Sequence, residues 1–176
     1  MLIKTIFAGF GGQGVLSMGL NLAQAAMAEG KNVTYLPSYG VEVRGGTANC
    51  TVAISDEEIA SPVASAPEFL VAMNKPSVLR FQNQIESGGV IFINSTLVES
   101  EISRGDIEVI RVAAGEIADK LGSPKSANMV MLGAFVKKSN IVSISAIIEE
   151  FKNTLKNKEK LIAVNEKALM AGYNLF

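Results

Sequence analysis

The residues best suited to chemistry are four glycines and a glutamine in the stretch Gly9-Phe10-Gly11-Gly12-Gln13-Gly14. A mostly apolar run, residues 2–8, precedes them, as expected of a buried strand. Apolar residues then recur at the spacing of one helix face, at Val15, Met18, Leu22, Ala25 and Ala26. A strand, a glycine turn and a helix in this order place free backbone N–H groups where an anion is favoured. The pattern predicts an anion-binding turn, and glycines used only for strand–helix packing explain it equally well.

Binding of a dinucleotide would need an acidic residue at the end of the second strand, about 20 residues after the glycines. That place is occupied by Tyr35-Leu36-Pro37-Ser38, which contains no carboxylate. Arg44 could meet a 2′-phosphate, but it lies well beyond the predicted strand end. Binding of NAD or flavin by this chain alone is therefore a secondary hypothesis, as is a stand-alone nucleotide-dependent reductase.

A second polar, glycine-rich segment reads Ser38-Tyr39-Gly40-Val41-Glu42-Val43-Arg44-Gly45-Gly46. Glu42 and Arg44 lie two residues apart and therefore share one face of an extended chain. Gly45 and Gly46 give the backbone freedom directly after the arginine. Such a guanidinium can bind a phosphate or a carboxylate through two parallel hydrogen bonds. An Arg44–Glu42 pair that fastens the loop or a protein interface is an equally supported alternative.

The composition excludes several classes of protein. The 176 residues include 16 Lys and Arg against 17 Asp and Glu, which argues against general attraction to nucleic acid or to an anionic membrane. There is no histidine, and Cys50 is the only cysteine. A Ser–His or Cys–His catalytic pair and a four-thiolate iron–sulfur site therefore cannot form within this chain. Cys50 itself is predicted to be a packing thiol in a strand.

Alternating strands and helices predict an α/β fold, a Rossmann-like three-layer sandwich with a mostly parallel sheet, helices on both faces and a helical C-terminal third. We expect strands at residues 2–8, 32–36, 47–55, 69–73, 90–94 and 107–112. We expect helices at residues 13–29, 77–81, 114–121, 128–136 and 158–173, and a further one that Ser143 caps. Pro37 is expected to end the second strand, and Leu161 and Val164 to face inward. Residues 1–176 are expected to form one domain.

Residues 5–28 carry no formal charge and could imitate a signal peptide or a membrane span. Four glycines and the polar residues Gln13, Ser17, Asn21 and Gln24 interrupt any apolar segment of the required length. The sequence therefore predicts no membrane association, and a cytoplasmic location is expected.

The two glycine-containing segments together resemble the gamma subunit of 2-oxoacid:ferredoxin oxidoreductases. The second segment belongs to the run Pro37-Ser38-Tyr39-Gly40-Val41-Glu42-Val43-Arg44-Gly45-Gly46-Thr47-Ala48-Asn49-Cys50. The similarity continues through Ile54-Ser55-Asp56-Glu57 and Ala72-Met73-Asn74-Lys75-Pro76-Ser77 and covers essentially the whole chain. Val41 stands where the family pattern has proline, a change that affects the stiffness of the loop and removes no functional group.

The resemblance implies an enzyme that oxidatively decarboxylates a 2-oxoacid with coenzyme A, giving acyl-coenzyme A, CO₂ and reduced ferredoxin. It places thiamine diphosphate between alpha and beta subunits, and iron–sulfur clusters in the beta subunit and a small ferredoxin-like subunit. This chain alone is then expected to be inactive, with coenzyme A as a possible contact. The run Thr47-Ala48-Asn49-Cys50 is most similar to the 2-oxoglutarate type. The pyruvate and branched-chain 2-ketoisovalerate types stay open, as does a purely structural scaffold.

The candidate binding residues lie in these two segments. The first segment contributes Gly9, Gly11, Gly12, Gln13 and Gly14, and the second contributes Ser38, Tyr39, Glu42, Arg44, Gly45 and Gly46. We expect N–H groups of residues 11–14 to face an anion, either a phosphate of coenzyme A or the mouth of a partner's active site. Arg44 with Glu42 is expected to orient that site or to lock the subunit junction. No catalytic residue and no metal ligand is assigned.

Overall fold

The computed structural model describes residues 1–40, 45–99 and 101–176. Its strands are β1 (Leu2–Phe10), β2 (Asn32–Tyr39), β3 (Thr47–Ser55), β4 (Phe69–Ala72), β5 (Val90–Asn94) and β6 (Glu108–Val112). Its helices are α1 (Val15–Ala28), α2 (Lys75–Phe81), α3 (Ala114–Lys120), α4 (Ala127–Ser139), α5 (Ile144–Thr154) and α6 (Glu159–Tyr173). Short 3₁₀ turns lie at Gln82–Gln84 and Pro124–Ser126. Across these described ranges, no helix is both long enough and apolar enough to cross a membrane.

The strands form one sheet in the order β2-β3-β1-β4-β5-β6. Parallel pairing joins β1 to β4, β4 to β5 and β5 to β6, whereas β3 is antiparallel to both β1 and β2. Five strands therefore run in one direction and β3 runs against them, which confirms the predicted α/β fold with a mostly parallel sheet. After β1 the chain moves toward the β2 edge, and after β4 it moves toward the β6 edge.

Two apolar layers cover the sheet, one on each face. On one face, Phe135 of α4 contacts Phe7, Phe69 and Phe92, with ring centroids 5.5, 5.5 and 5.6 Å away. Helices α1 and α3–α6 contribute to this layer. On the other face, side chains of β1, β4 and β5 pack against the smaller layer formed by α2 and the segments beside it. Helices lie on both faces, as predicted, but the two layers are unequal.

The ends of several helices follow from local sequence. Asn74 precedes α2, and its side chain accepts a hydrogen bond from the Ser77 N–H at 2.9 Å. Ser143 does the same for α5, accepting from the Ala146 N–H at 3.2 Å. The predicted Ser143 cap is confirmed, and Asn74 is a second cap. Helix α1 ends with Gly30 at a φ of 79°, the left-handed conformation that favours glycine.

Two details of the predicted elements are wrong. Strand β2 continues through Pro37, which pairs with Cys50, and ends at Tyr39. Proline is tolerated there because β2 is an edge strand, on which a missing N–H directed away from β3 costs no ladder bond. Leu161 and Val164 are exposed, because α6 buries residues nearer its C-terminal end instead, namely Ala168, Leu169 and Gly172.

Helices α4 and α6 pack through glycines. A Cβ atom added to Gly133 of α4 would collide with the carbonyl oxygen of Leu169, and one added to Gly172 of α6 would collide with that of Val130. The obstructing atoms belong to the backbone and cannot rotate away. The close approach of these two helices therefore depends on the absence of side chains at both positions.

We expect Gly133→Ala and Gly172→Ala each to lower the free energy of unfolding by about 1 to 3 kcal/mol, because the helices must separate to admit the methyl group. Urea unfolding followed by circular dichroism measures the change. Gly105→Ala is the matched control, since nothing lies within 4 Å of its added Cβ. It is expected to change stability by less than about 0.5 kcal/mol. Equal stability of all three variants would contradict the glycine contact.

Candidate functional site

The glycine turn connects the end of β1 to the start of α1. Gly12 and Gly14 adopt φ angles of 96° and 73°, in the region that side chains disfavour. The carbonyl of Gly14 accepts a hydrogen bond from the Met18 N–H at 3.0 Å, so α1 begins directly after it. The first N–H groups of an α-helix have no intrahelical acceptor. Those of α1 therefore have no acceptor within the helix, and no side chain of the described residues caps them.

Gln13 holds this turn in place from within. Its Oε1 accepts hydrogen bonds from the Phe10 N–H at 2.7 Å and from Nδ2 of Asn74 at 3.0 Å. Asn74 is buried and also caps α2, so Gln13 joins the glycine turn to the loop after β4. A Cβ added to Gly9 would lie 2.7 Å from the same Oε1. Gly9 is therefore a packing position, and the side-chain oxygen of Gln13 is used inside the protein.

The structure brings the two predicted segments together. The Gly11 N–H donates to the Gly46 carbonyl at 2.8 Å, and the Gly45 N–H donates to the Gly11 carbonyl at 3.4 Å. The Gln13 N–H donates to the Phe10 carbonyl at 3.1 Å. Two of the four N–H groups expected to face an anion are thus bonded within the protein. Gly12, Gly14 and the first turn of α1 are left as the candidate anion donors.

A concave surface of about 520 Å³, which we call the first cavity, lies beside this turn. Its volume is in the range of small-molecule sites. It is lined by Phe10, Gly11, Gly12, Gly14, Val15, Leu16, Ser17, Tyr39, Thr47 and Ala48. Tyr39, one of these lining residues, is 64% exposed. Ser38 is exposed at the end of β2 and is not among the lining residues, while Glu42 and Arg44 lie outside the described residues.

A second concave surface, of about 410 Å³, lies at the carboxyl ends of β4 and β5, and we call it the amide cleft. Its lining includes Gly12, Gln13, Asn94, Thr96 and Asn128. Gly12 and Gln13 are predicted binding residues, but Asn94, Thr96 and Asn128 were not predicted to join them. The sequence feature that could have indicated this cleft is Asn94 at the end of β5. Ligands of open α/β sheets bind outside the carboxyl ends of their strands.

Cys50 packs beneath α1. Its side chain is fully buried, and Sγ lies 3.5 Å from the carbonyl oxygen of Val15. Burial raises the pKa of the Cys50 thiol to about 12. Burial also raises the pKa of the adjoining Tyr35 to about 12, with a smaller contribution from Cys50. The prediction of a packing thiol in a strand is confirmed, because Cys50 lies in β3 and is fully buried in the core beneath α1.

We expect the free energy of unfolding to fall as the pH rises from 9 toward 12, by about 1.4 kcal/mol per pH unit from Cys50. The unfolded chain releases the thiol proton near pH 9, whereas the folded chain keeps it until about pH 12. The raised pKa therefore leaves the free energy of unfolding unchanged below pH 9 and lowers it above pH 9. Urea unfolding of the wild-type protein and of Cys50→Ala at pH 8, 9 and 10 measures the effect. A stability difference that stays constant over this range would contradict it.

The chain matches a protein-family model and several known proteins. The family model described as pyruvate ferredoxin/flavodoxin oxidoreductase matches residues 4–175. The chain is 43% identical to the ketoisovalerate oxidoreductase subunit VorA of Methanothermobacter thermautotrophicus, over 97% of this chain and 35% of that protein. The chain therefore spans little more than a third of the length of that relative.

Two further relatives match over most of their own length. The 2-oxoglutarate synthase subunit KorC of Methanothermobacter marburgensis is 38% identical, over 84% of this chain and 83% of that protein. The solved structure of a keto/oxoacid ferredoxin oxidoreductase gamma subunit from Geobacter sulfurreducens superposes with a TM-score of 0.82 at 28% identity, covering 97% and 96% of the two chains. These matches confirm the resemblance based on the two glycine-containing segments.

Proposed function

The chain belongs to the pyruvate ferredoxin/flavodoxin oxidoreductase family, and from this premise we propose that it is the gamma subunit of a 2-oxoacid:ferredoxin oxidoreductase. The observation that supports the proposal most strongly is the family match over residues 4–175. The complex oxidatively decarboxylates a 2-oxoacid with coenzyme A in the cytoplasm and reduces ferredoxin. Thiamine diphosphate and iron–sulfur clusters belong to the alpha, beta and small ferredoxin-like subunits. This chain contributes a binding surface and no catalytic residue.

Three substrates stay open, 2-oxoglutarate, 2-ketoisovalerate and pyruvate, and the first two each have support of their own. Similarity of residues 47–50 to the 2-oxoglutarate type and the KorC relative favour 2-oxoglutarate. The higher identity to VorA favours a branched-chain 2-oxoacid, 2-ketoisovalerate. Thr47 and Ala48 line the first cavity, whereas the groups that read the 2-oxoacid lie mostly on other chains. Values of kcat/KM of the purified complex for 2-oxoglutarate, 2-ketoisovalerate and pyruvate decide between them.

The first cavity is the proposed contact for coenzyme A. Gly12, Gly14 and the first turn of α1 offer N–H groups at a helix N-terminus, where a phosphate is favoured. Phe10, Leu16 and Tyr39 supply apolar surface for the uncharged parts of the same ligand. Arg44 directly precedes Gly45, whose N–H donates to the glycine turn. A guanidinium in this segment would complete an anion site that the backbone alone leaves uncharged.

We expect Arg44→Ala to raise the apparent KM for coenzyme A in the reconstituted complex by about tenfold or more, because a hydrogen bond to a charged group contributes about 1.5 to 3 kcal/mol. The KM for the 2-oxoacid is expected to stay unchanged. Steady-state kinetics at varied coenzyme A measures the effect. Arg80→Ala is the matched control, since Arg80 is an exposed arginine outside the first cavity. An unchanged KM for coenzyme A in an intact complex would remove Arg44 from the ligand role.

A purely structural role is the alternative, and the internal hydrogen bonds of Gly11 and Gln13 favour it. In that case the complex requires this chain for assembly, yet substitutions in residues 11–14 leave its turnover unchanged. Turnover and gel-filtration profiles of the same variants distinguish the two roles.

A further inference from the structure

Helix α1 packs closely on strands β2 and β3 at Gly19, a buried position without a side chain. A Cβ atom added to Gly19 would collide with Sγ of Cys50. The same atom would lie 3.2 Å from Cγ2 of Val52 and 3.3 Å from Cε2 of Tyr35. The first turn of α1, which lines the first cavity, lies directly before this contact. The close approach at Gly19 therefore sets how far this wall of the cavity stands from the sheet.

The sheet also donates two hydrogen bonds to the first turn of α1. The thiol of Cys50 donates to the carbonyl oxygen of Val15, with Sγ 3.5 Å away. The hydroxyl of Tyr35 donates to the carbonyl oxygen of Leu16 at 3.2 Å. Burial raises the pKa of both donors to about 12, so each keeps its proton at neutral pH. A thiol is a weak donor, and the hydroxyl of Tyr35 therefore makes the stronger of the two bonds.

These two carbonyls belong to peptide groups whose other ends are candidate anion donors. The carbonyl of Val15 shares its peptide group with the N–H of Leu16, and the carbonyl of Leu16 shares its own with the N–H of Ser17. Neither N–H has an acceptor within α1. A peptide group is planar, so a hydrogen bond at its carbonyl fixes the direction of its N–H, and linked hydrogen bonds polarise one another. Cys50 and Tyr35 therefore orient two N–H groups of the first turn.

We propose that Gly19, Tyr35 and Cys50 are positioning residues of the first cavity, which hold the first turn of α1 where its N–H groups bind the anionic part of the ligand. The inference rests on the proposed function, which makes that anion a phosphate of coenzyme A. The three residues lie outside the lining of the cavity, so they act through the backbone of α1. Because binding groups must be held within about 0.5 Å of their productive geometry, this contact beneath α1 controls the affinity for the ligand.

The first test is Tyr35→Phe, which removes only the hydroxyl that bonds to Leu16. We expect the apparent KM for coenzyme A to rise by about three- to tenfold, because one hydrogen bond is lost. The kcat and the KM for the 2-oxoacid are expected to stay unchanged. Steady-state kinetics of the reconstituted complex at varied coenzyme A measures the effect. Tyr173→Phe is the matched control, because Tyr173 lies at the end of α6 and outside the first cavity.

The second test is Gly19→Ala, whose added methyl group displaces α1 from Cys50. We expect the KM for coenzyme A to rise by about tenfold or more, because the N–H groups move with the helix. Removal of Sγ makes room for the methyl group, so Gly19→Ala/Cys50→Ala is expected to have the KM of Cys50→Ala alone. A general loss of stability does not produce this rescue. Cys50 is the only cysteine, so its faster reaction with Ellman's reagent in the Gly19→Ala chain measures the displacement independently of activity.

An unchanged KM for coenzyme A in Tyr35→Phe and Gly19→Ala, with a raised KM in Arg44→Ala, would overturn the inference and leave the proposed function standing. A double variant with the KM of Gly19→Ala would also overturn it, since the contact with Cys50 would then not be the cause. A wild-type complex whose turnover does not depend on coenzyme A would overturn the proposed function and the inference together. A raised KM in both single variants, with rescue in the double variant and no change in Tyr173→Phe, supports both.

Discussion

The structure of the site depends on one acceptor atom, Oε1 of Gln13. It bonds to the backbone of the glycine turn and to Asn74, and Asn74 in turn caps α2. This side chain therefore ties the glycine turn to the start of α2, in addition to the ladder that already joins β1 to β4. Gly9 must lack a Cβ for this oxygen to fit. Both cavities inherit their shape from this arrangement.

Much of the fold could be predicted because the local sequence patterns favour the same strands and helices that the packed structure contains. Strands β3 and β5 have the predicted bounds, since each is a continuous β-branched or apolar run bordered by turn residues. The failures have non-local causes. Pro37 continues β2 only because that strand lies at the sheet edge, which depends on strand order. Leu161 and Val164 are exposed because the α4–α6 contact forms at glycines near the other end of α6.

The candidate site could be predicted only in part. The motif predicts a glycine turn with left-handed positions, and Gly12 and Gly14 have them. Which N–H groups remain free depends on the Gly46 carbonyl, 35 residues from Gly11, and no local pattern encodes that hydrogen bond. The amide cleft joins residues from the first, middle and last thirds of the chain, so no sequence window contains it. The ligand roles of Glu42 and Arg44 stay predictions, as does a single domain over residues 1–176.

Gly12 lines both cavities, so the two concave surfaces meet at the glycine turn. The nearby carbonyl of Gly14 accepts hydrogen bonds both from the Met18 N–H of α1 and from Asn128 of α4. A displacement of this turn that favoured an occupant in one cavity would change the space available in the other. Thermodynamic linkage makes any such effect equal in both directions. The glycine turn therefore contributes to the shape of both neighbouring cavities at once.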